Sequence, residues 1–225
     1  LGTRANAKDL MGFDEVVLAT GVAPRVLSLP GIDHPKVLSY VDVVKHGKPV
    51  GERVAVVGAG GIGVDVSEFL THAESPALDL DAWMAEWGVT DPEQAPGGLA
   101  RPTPEASPRH VFLLQRKKSG IGAGLGKTSG WVHRAALKKK RVEQLTGVAY
   151  ERIDDDGLHI TVGGEPRVLD VDTVVICAGQ EPVRDLADEL REAGLAVHLI
   201  GGADVAAELD AKRAIDQGTR LAASL

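Results

Sequence analysis

Val54-Ala55-Val56-Val57 runs straight into Gly58-Ala59-Gly60-Gly61-Ile62-Gly63, and no other passage limits the possible folds as tightly. A short apolar strand enters a G-x-G-x-x-G turn, and an amphipathic stretch leaves it. Ile62, Val66, Phe69, Leu70 and Ala73 fall on one face at helical spacing. Gly58 permits a tight strand-to-helix turn, Gly60 lets the backbone approach a pyrophosphate, and Gly63 lets the helix pack close to the sheet. The first-turn N–H groups and the positive end of the helix dipole then hold an anion, with Ala59, Gly61 and Ile62 in the same turn. The motif alone is weak, but its position between strand and helix favours dinucleotide binding over a merely structural turn.

The type of dinucleotide depends on the next strand. In an NAD site an acidic residue about 20 positions on takes the ribose 2′-hydroxyl. Asp79 and Asp81 lie at that distance, but they follow Ser75-Pro76 and lead into Trp83-Met84-Ala85-Glu86-Trp87 with no β-rich run to place them. The next strand is Val111-Phe112-Leu113-Leu114, and it ends in Gln115-Arg116-Lys117-Lys118. Residues 74–109 between helix and strand read as an inserted excursion over the surface. A basic tip suits a 2′-phosphate. Two charge-assisted contacts would favour NADPH by about 2–4 kcal/mol, roughly 30- to 1000-fold. Arg116 is the better of the two because its planar fork matches a phosphate, and Lys117 supports it. The alternative is a solvated basic loop.

Gly122-Ala123-Gly124-Leu125-Gly126-Lys127-Thr128 imitates a nucleotide-triphosphate loop and fails on two counts. That motif needs a glycine where Ile121 stands, and it needs a strand running directly into the loop. A flexible flap near the nicotinamide half of the site, with Lys127 near the phosphates, fits the residues better.

Length and composition bound the rest. The 225 residues suffice for one large or two modest domains with a real core. No apolar run approaches about 18 residues and no signal peptide is recognisable, so neither membrane insertion nor secretion is expected, and a cytoplasmic setting is. A net charge of −7 argues against nucleic-acid binding, and Lys138-Lys139-Lys140-Arg141 reads as the cationic end of a helix. The single cysteine, Cys177, leaves no disulfide framework, zinc site or iron–sulfur cluster within this chain, and it reads as inert packing. The two tryptophans of the excursion, Trp83 and Trp87, are expected in a core.

One pattern occurs twice. Asp14-Glu15-Val16-Val17-Leu18-Ala19-Thr20-Gly21 and Asp172-Thr173-Val174-Val175-Ile176-Cys177-Ala178-Gly179 both run from a polar start through a buried strand to a small-residue turn, each with a proline soon after. The repetition suggests two related domains. Turn signals at Asp155-Asp156-Gly157 and Gly163-Gly164 divide residues 149–153, 158–162 and 168–171 into an antiparallel meander. A helix is expected from Pro182 to about Ala193, a strand over 197–200, and a closing helix over 209–223. Between these lies Gly201-Gly202-Ala203-Asp204, where Asp204 reads equally as an acceptor for a flavin ribityl hydroxyl or as a helix N-cap. The fold class is α/β, Rossmann-like, with a small meander.

Taken together these blocks resemble the two-dinucleotide-binding-domain flavoproteins, most closely the C-terminal portion of bacterial NADPH-dependent 2,4-dienoyl-CoA reductases. The carrying residues are Ala19-Thr20-Gly21, the 58–63 turn, Leu114-Gln115-Arg116-Lys117, and residues 124–134, 175–182, 197–204 and 216–220. The resemblance implies that NADPH reduces FAD, which relays electrons through a 4Fe-4S cluster to FMN for dienoyl-CoA reduction in unsaturated fatty-acid β-oxidation. It implies an NADPH domain over 47–177 between FAD-domain parts at 1–46 and 178–225. Arg116 and Lys117 would hold the 2′-phosphate, Asp204 and the helix after it the FAD, and Thr20-Gly21 would line the FAD domain near the crossover, with Ala178, Gly179 and Gly202 also cofactor-binding. The FMN barrel, its cluster cysteines and the first flavin-binding strand, which such proteins carry, are absent from these residues, so the chain reads as a fragment without catalytic residues and with an incomplete FAD site. Two other readings stay open: a trimethylamine-dehydrogenase-like domain holding a nucleotide without NADPH chemistry, and a non-catalytic nucleotide-binding module.

Overall fold

Val54, Ala55, Val56 and Val57 are each fully buried, because their strand has neighbours on both edges and side chains packed on both faces. In the computed structural model, which describes residues 2–207 and 211–225, this strand lies in a compact unit formed by Val26–Ala178. A second unit takes the two chain ends, up to Arg25 and from Gly179 onward.

The Val26–Ala178 unit is built on five parallel strands. They are β3 (Val37–Ser39), β4 (Arg53–Val57), β5 (His110–Leu114), β6 (Glu143–Leu145) and β10 (Thr173–Ile176), in the order β3-β10-β4-β5-β6. Thus β5 follows β4 in the sheet, with Val57 opposite Leu114, and both strands end at the same edge. On one face α3 (Gly61–Leu70) and α5 (Gly130–Lys139) cover Val54, Val56, Val111 and Leu113. On the other the meander of β7 (Val148–Asp154), β8 (Gly157–Val162) and β9 (Glu165–Leu169) buries Ile153, Leu158, Ile160 and Leu169 against Ala55, Val57, Phe112 and Leu114. The short α2 (Tyr40–Val44) starts at Ser39, whose hydroxyl accepts from the Asp42 N–H while Asp42 accepts from Ser39, a reciprocal cap. The expected meander is present, with its third strand beginning earlier, at Glu165.

Two expectations need correction. The buried stripe of α3 runs through Gly63, Val64, Val66, Ser67 and Leu70, whereas Phe69 is 55% exposed. Ala73 lies beyond the helix, which Thr71 closes, so its phase cannot extend the stripe. The excursion carries structure of its own: α4 (Leu80–Trp87) is capped by Asp79, which accepts from the Ala82 N–H. Its tryptophans are not core residues. Trp83 is 42% exposed, Trp87 stacks obliquely against it at 6.4 Å, and the Lys139 ammonium sits 3.8 Å from the Trp87 ring. The side chain that goes inside is Glu86, with His72 Nε2 at 3.2 Å and the deeply buried Lys140 Nζ at 3.7 Å. Helix α5 does end in the Lys138–Lys139 pair, as the basic run predicts. Yet Lys139 and Lys140 turn back onto the excursion to meet an aromatic face and a buried carboxylate, and are not simply solvated.

The other unit is smaller. Strands β1 (Glu15–Leu18) and β12 (Ala196–Leu199) pair in parallel, and α1 (Ala7–Leu10) and α6 (Leu186–Glu192) close one side around Val16, Leu18, Ala187 and Leu190. The segments after the two repeated turns, β2 (Val22–Pro24) and β11 (Gln180–Pro182), pair with each other antiparallel. Helix α7 (Ala211–Ala222) ends the chain, and its expected start at 209 lies outside the described residues. Parallel strands with crossover helices, plus antiparallel ribbons, make this an α/β Rossmann-like dinucleotide-binding fold.

Candidate nucleotide site

The glycine turn has the geometry that its sequence predicts. Gly58 has φ +107°, and a Cβ there would fall 2.9 Å from the Ala178 backbone. At Gly63 a Cβ would fall 1.7 Å from the Gly58 carbonyl oxygen, so only glycine lets α3 begin this close to β4. Gly60 is the N-cap of α3 and brings no capping side chain. Space for a Cβ at Gly60 or Gly61 is open, with nothing within 4 Å. The first-turn N–H groups are therefore left for water or an anion.

The basic tip faces the same space. A cavity of about 310 Å³ is lined by Gly58, Ala59, Gly60 and Gly61 on one side and by Gln115, Arg116 and Lys117 on another. Tyr150, Ala178 and the 119–125 loop complete its wall. The tip is held by its backbone: the Gln115 N–H donates to Leu145 O, and Lys117 O accepts from the Gly147 N–H at 2.9 Å. The Gln115 side chain also donates to Ser119 O and closes the turn. Arg116 and Lys117 are exposed and ready for a ligand. Larger hollows exist, including one of about 540 Å³ by Phe69 and His72, but they lack the glycine turn. Size does not select the site; the meeting of an open helix N-terminus with two cations does.

Asp79 caps α4 and Asp81 lies in its first turn, both on the excursion and not at the tip of β5, which agrees with their rejection as a ribose-binding pair. The 119–125 loop lines the cavity, but it is not a free flap. Ile121 is buried in the core beneath α3, and the Arg134 guanidinium donates to Gly122 O at 3.0 Å. Lys127 is exposed and does not line the cavity. Cys177 packs below the turn, 3.6 Å from where a Gly63 Cβ would lie, and burial pushes its thiol up to about 12. A thiol so buried carries little thiolate near neutral pH.

In the smaller unit Gly21 and Gly202 come together, since a Cβ on Gly202 would lie 3.1 Å from the Gly21 backbone. The Thr20 hydroxyl donates to Val183 O. Gly21 and Gly179, the turn residues of the two repeats, take φ +76° and +85°. Asp204 does not cap a long helix. It closes the 3-10 turn Gly201–Ala203, and its carboxylate accepts from Gln217 Nε2 at 2.8 Å, while Gln217 Oε1 accepts from the Gly201 N–H. The carboxylate is thus fixed in place by α7.

Tyr150 was not legible as a site residue. It lies in β7 two residues past Val148, whose N–H donates to Gln115 O at 3.0 Å. Burial raises its phenol well above the ordinary value, against a smaller opposing pull from the Arg116 charge. The signal in the sequence was a lone aromatic directly after Gly147-Val148-Ala149, which nothing marks as a ligand contact.

The family profile described as pyridine nucleotide-disulphide oxidoreductase matches residues 2–213. A metal reductase from Desulforamulus reducens is 28% identical over 194 residues, covering 85% of this chain and 28% of that protein. Among solved structures, a 2-naphthoyl-CoA reductase in complex with 2-naphthoyl-CoA superposes with a TM-score of 0.73 at 22% identity, over 97% of this chain and 28% of that one. Histamine dehydrogenase from Rhizobium sp. 4-9 superposes with a TM-score of 0.68 at 18% identity, over 99% of this chain and 32% of that one. The chain thus spans under a third of the length of each. Among the described residues no helix is long and apolar enough to cross a membrane.

Proposed function

Because the chain belongs to the pyridine nucleotide-disulphide oxidoreductase family, we propose that it is the nucleotide-handling portion of a larger flavin oxidoreductase. The Val26–Ala178 unit binds NADPH, and the unit made from the chain ends contributes to an FAD site. One observation carries this reading: the open glycine turn between β4 and α3 shares a cavity with Arg116 and Lys117. The absence of any Cβ at Gly60 and Gly61 leaves room for a pyrophosphate against the helix N-terminus, and the tip of β5 offers the charge that a 2′-phosphate needs. In the other unit Thr20 and Gly21, with Gly202 and the fixed Asp204 carboxylate, would face the flavin nucleotide. With both cofactors bound, NADPH would supply a hydride and FAD would be its acceptor. This chain's residues bind and orient; the choice of final substrate belongs to other parts of the polypeptide.

Two finer readings follow. Reduction of a 2,4-dienoyl-CoA through FMN and a 4Fe-4S cluster in a preceding barrel draws on the motif blocks and on the fold likeness to the 2-naphthoyl-CoA reductase. A trimethylamine-dehydrogenase-like domain that holds a nucleotide without NADPH chemistry draws on the fold likeness to histamine dehydrogenase across nearly the whole chain. Titration separates them. The first predicts tight NADPH and weak NADH and ADP; the second predicts ADP bound as well as NADPH. For the NADPH reading, Arg116→Ala weakens NADPH roughly 30-fold or more and leaves NADH within about threefold. Equal losses for both cofactors would overturn it.

A further inference from the structure

The Tyr150 hydroxyl is shut off from solvent and has no hydrogen-bond partner. It is the one buried side-chain polar atom in this condition among the described residues. Buried polar groups in folded proteins are almost always paired, so an orphan in the wall of a ligand cavity asks what completes it. The surroundings favour an anion. Tyr150 lines the same cavity as Gly58–Gly61 and the basic tip. Its strand is tied to that tip by two backbone bonds, Gly147 N–H to Lys117 O and Val148 N–H to Gln115 O. The ring packs against the apolar cluster under the meander, facing Ile160 across β7 and β8. The pairing register slips between Tyr150 and Arg152, and such bulges re-aim a side chain beside a site. Burial keeps the phenol protonated, so it can only donate or accept as a neutral group, and the neighbouring charge is the Arg116 guanidinium. A donor beside a guanidinium is complemented by an oxygen carrying negative charge.

We propose that Tyr150 positions the 2′-phosphate of NADPH: its hydroxyl, closed off in the free chain, turns on binding to donate to the phosphate that Arg116 pairs. This rests on the NADPH reading above. The free chain then carries an unmet donor that the bound chain satisfies. Replacing the hydroxyl therefore moves stability and affinity in opposite directions, which a tyrosine serving only as packing would not do.

The test compares wild type with Tyr150→Phe in the 225-residue chain, using adenosine 2′,5′-bisphosphate and 5′-ADP as probes. The bisphosphate Kd should rise about tenfold and the 5′-ADP Kd should change less than about twofold. The urea midpoint of the free variant should stay level or rise, which also shows that the variant folds. An unchanged bisphosphate affinity, or equal losses for both probes, overturns the role of Tyr150 alone. Wild type that fails to prefer the bisphosphate over 5′-ADP overturns the NADPH reading and this role with it.

Discussion

Strands β1 and β10 are near-copies in sequence and occupy different environments. Asp14-Glu15-Val16-Val17-Leu18 corresponds to Asp172-Thr173-Val174-Val175-Ile176, each followed by two small residues and a glycine. In β10 every residue from Thr173 to Ile176 is buried, because β3 and β4 flank it and layers cover both faces. In β1 burial alternates, with Val16 and Leu18 inside and Val17 42% exposed. The shared pattern dictates a strand, a left-handed glycine and a return segment in both places. Burial on the second face comes from the neighbours and is not encoded in the copy itself.

The largest effect should come from placing a charge at the matched central positions. Val175→Asp puts a carboxylate at a site with no exposure and should cost about 4 kcal/mol or more, enough to unfold its unit. Val17→Asp should cost within about 1 kcal/mol. Urea denaturation of the two variants compares them directly, and similar losses would mean that Val17 is covered in solution. A smaller effect tests what the copies share. Gly21→Ala and Gly179→Ala should each cost about 1–2 kcal/mol, because both glycines have positive φ and neither faces a rigid obstacle. Unequal costs would show that the turns are not equivalent. The smallest effect concerns the first residue of the second copy. Asp172 accepts from the Arg53 guanidinium and backbone N–H, which hold its carboxyl at about 2. A folded value below the usual carboxylate value of about 4 gives stability that is present above that pH and lost as pH falls toward the folded value. Thermal melts of wild type should therefore weaken between about pH 4 and pH 2, and those of Asp172→Asn should be flatter across that window.

The same contrast explains what could be read from the chain beforehand. The glycine turn, β4, β5 with its basic tip, the meander and the paired repeats are local patterns, and each formed where its period or turn residues placed it. The misreadings all concern residues whose environment is supplied by distant segments. Phe69 has the right spacing for the α3 stripe, but the helix turns Gly63 and Val66 to the sheet and leaves it outside. Trp83 and Trp87 suggested a core, while Glu86 between them went inside because His72 and Lys140 meet it there. The 119–125 loop reads as a flexible flap, but Ile121 and Arg134 anchor it at the cavity. Tyr150 was missed because its meaning depends on a backbone tie to residues 115–117 that no spacing rule contains.

The ribbon of β2 and β11 brings the two ends of the 26–178 segment side by side. Pro24 lies opposite Gln180, so the outgoing and returning strands of the 26–178 segment stand roughly 5 Å apart. A coding segment spliced in at that point would enlarge the host protein without opening its sheet, and its removal would need only a short peptide to rejoin the ends. The 26–178 segment thus leaves and re-enters through two adjacent strands.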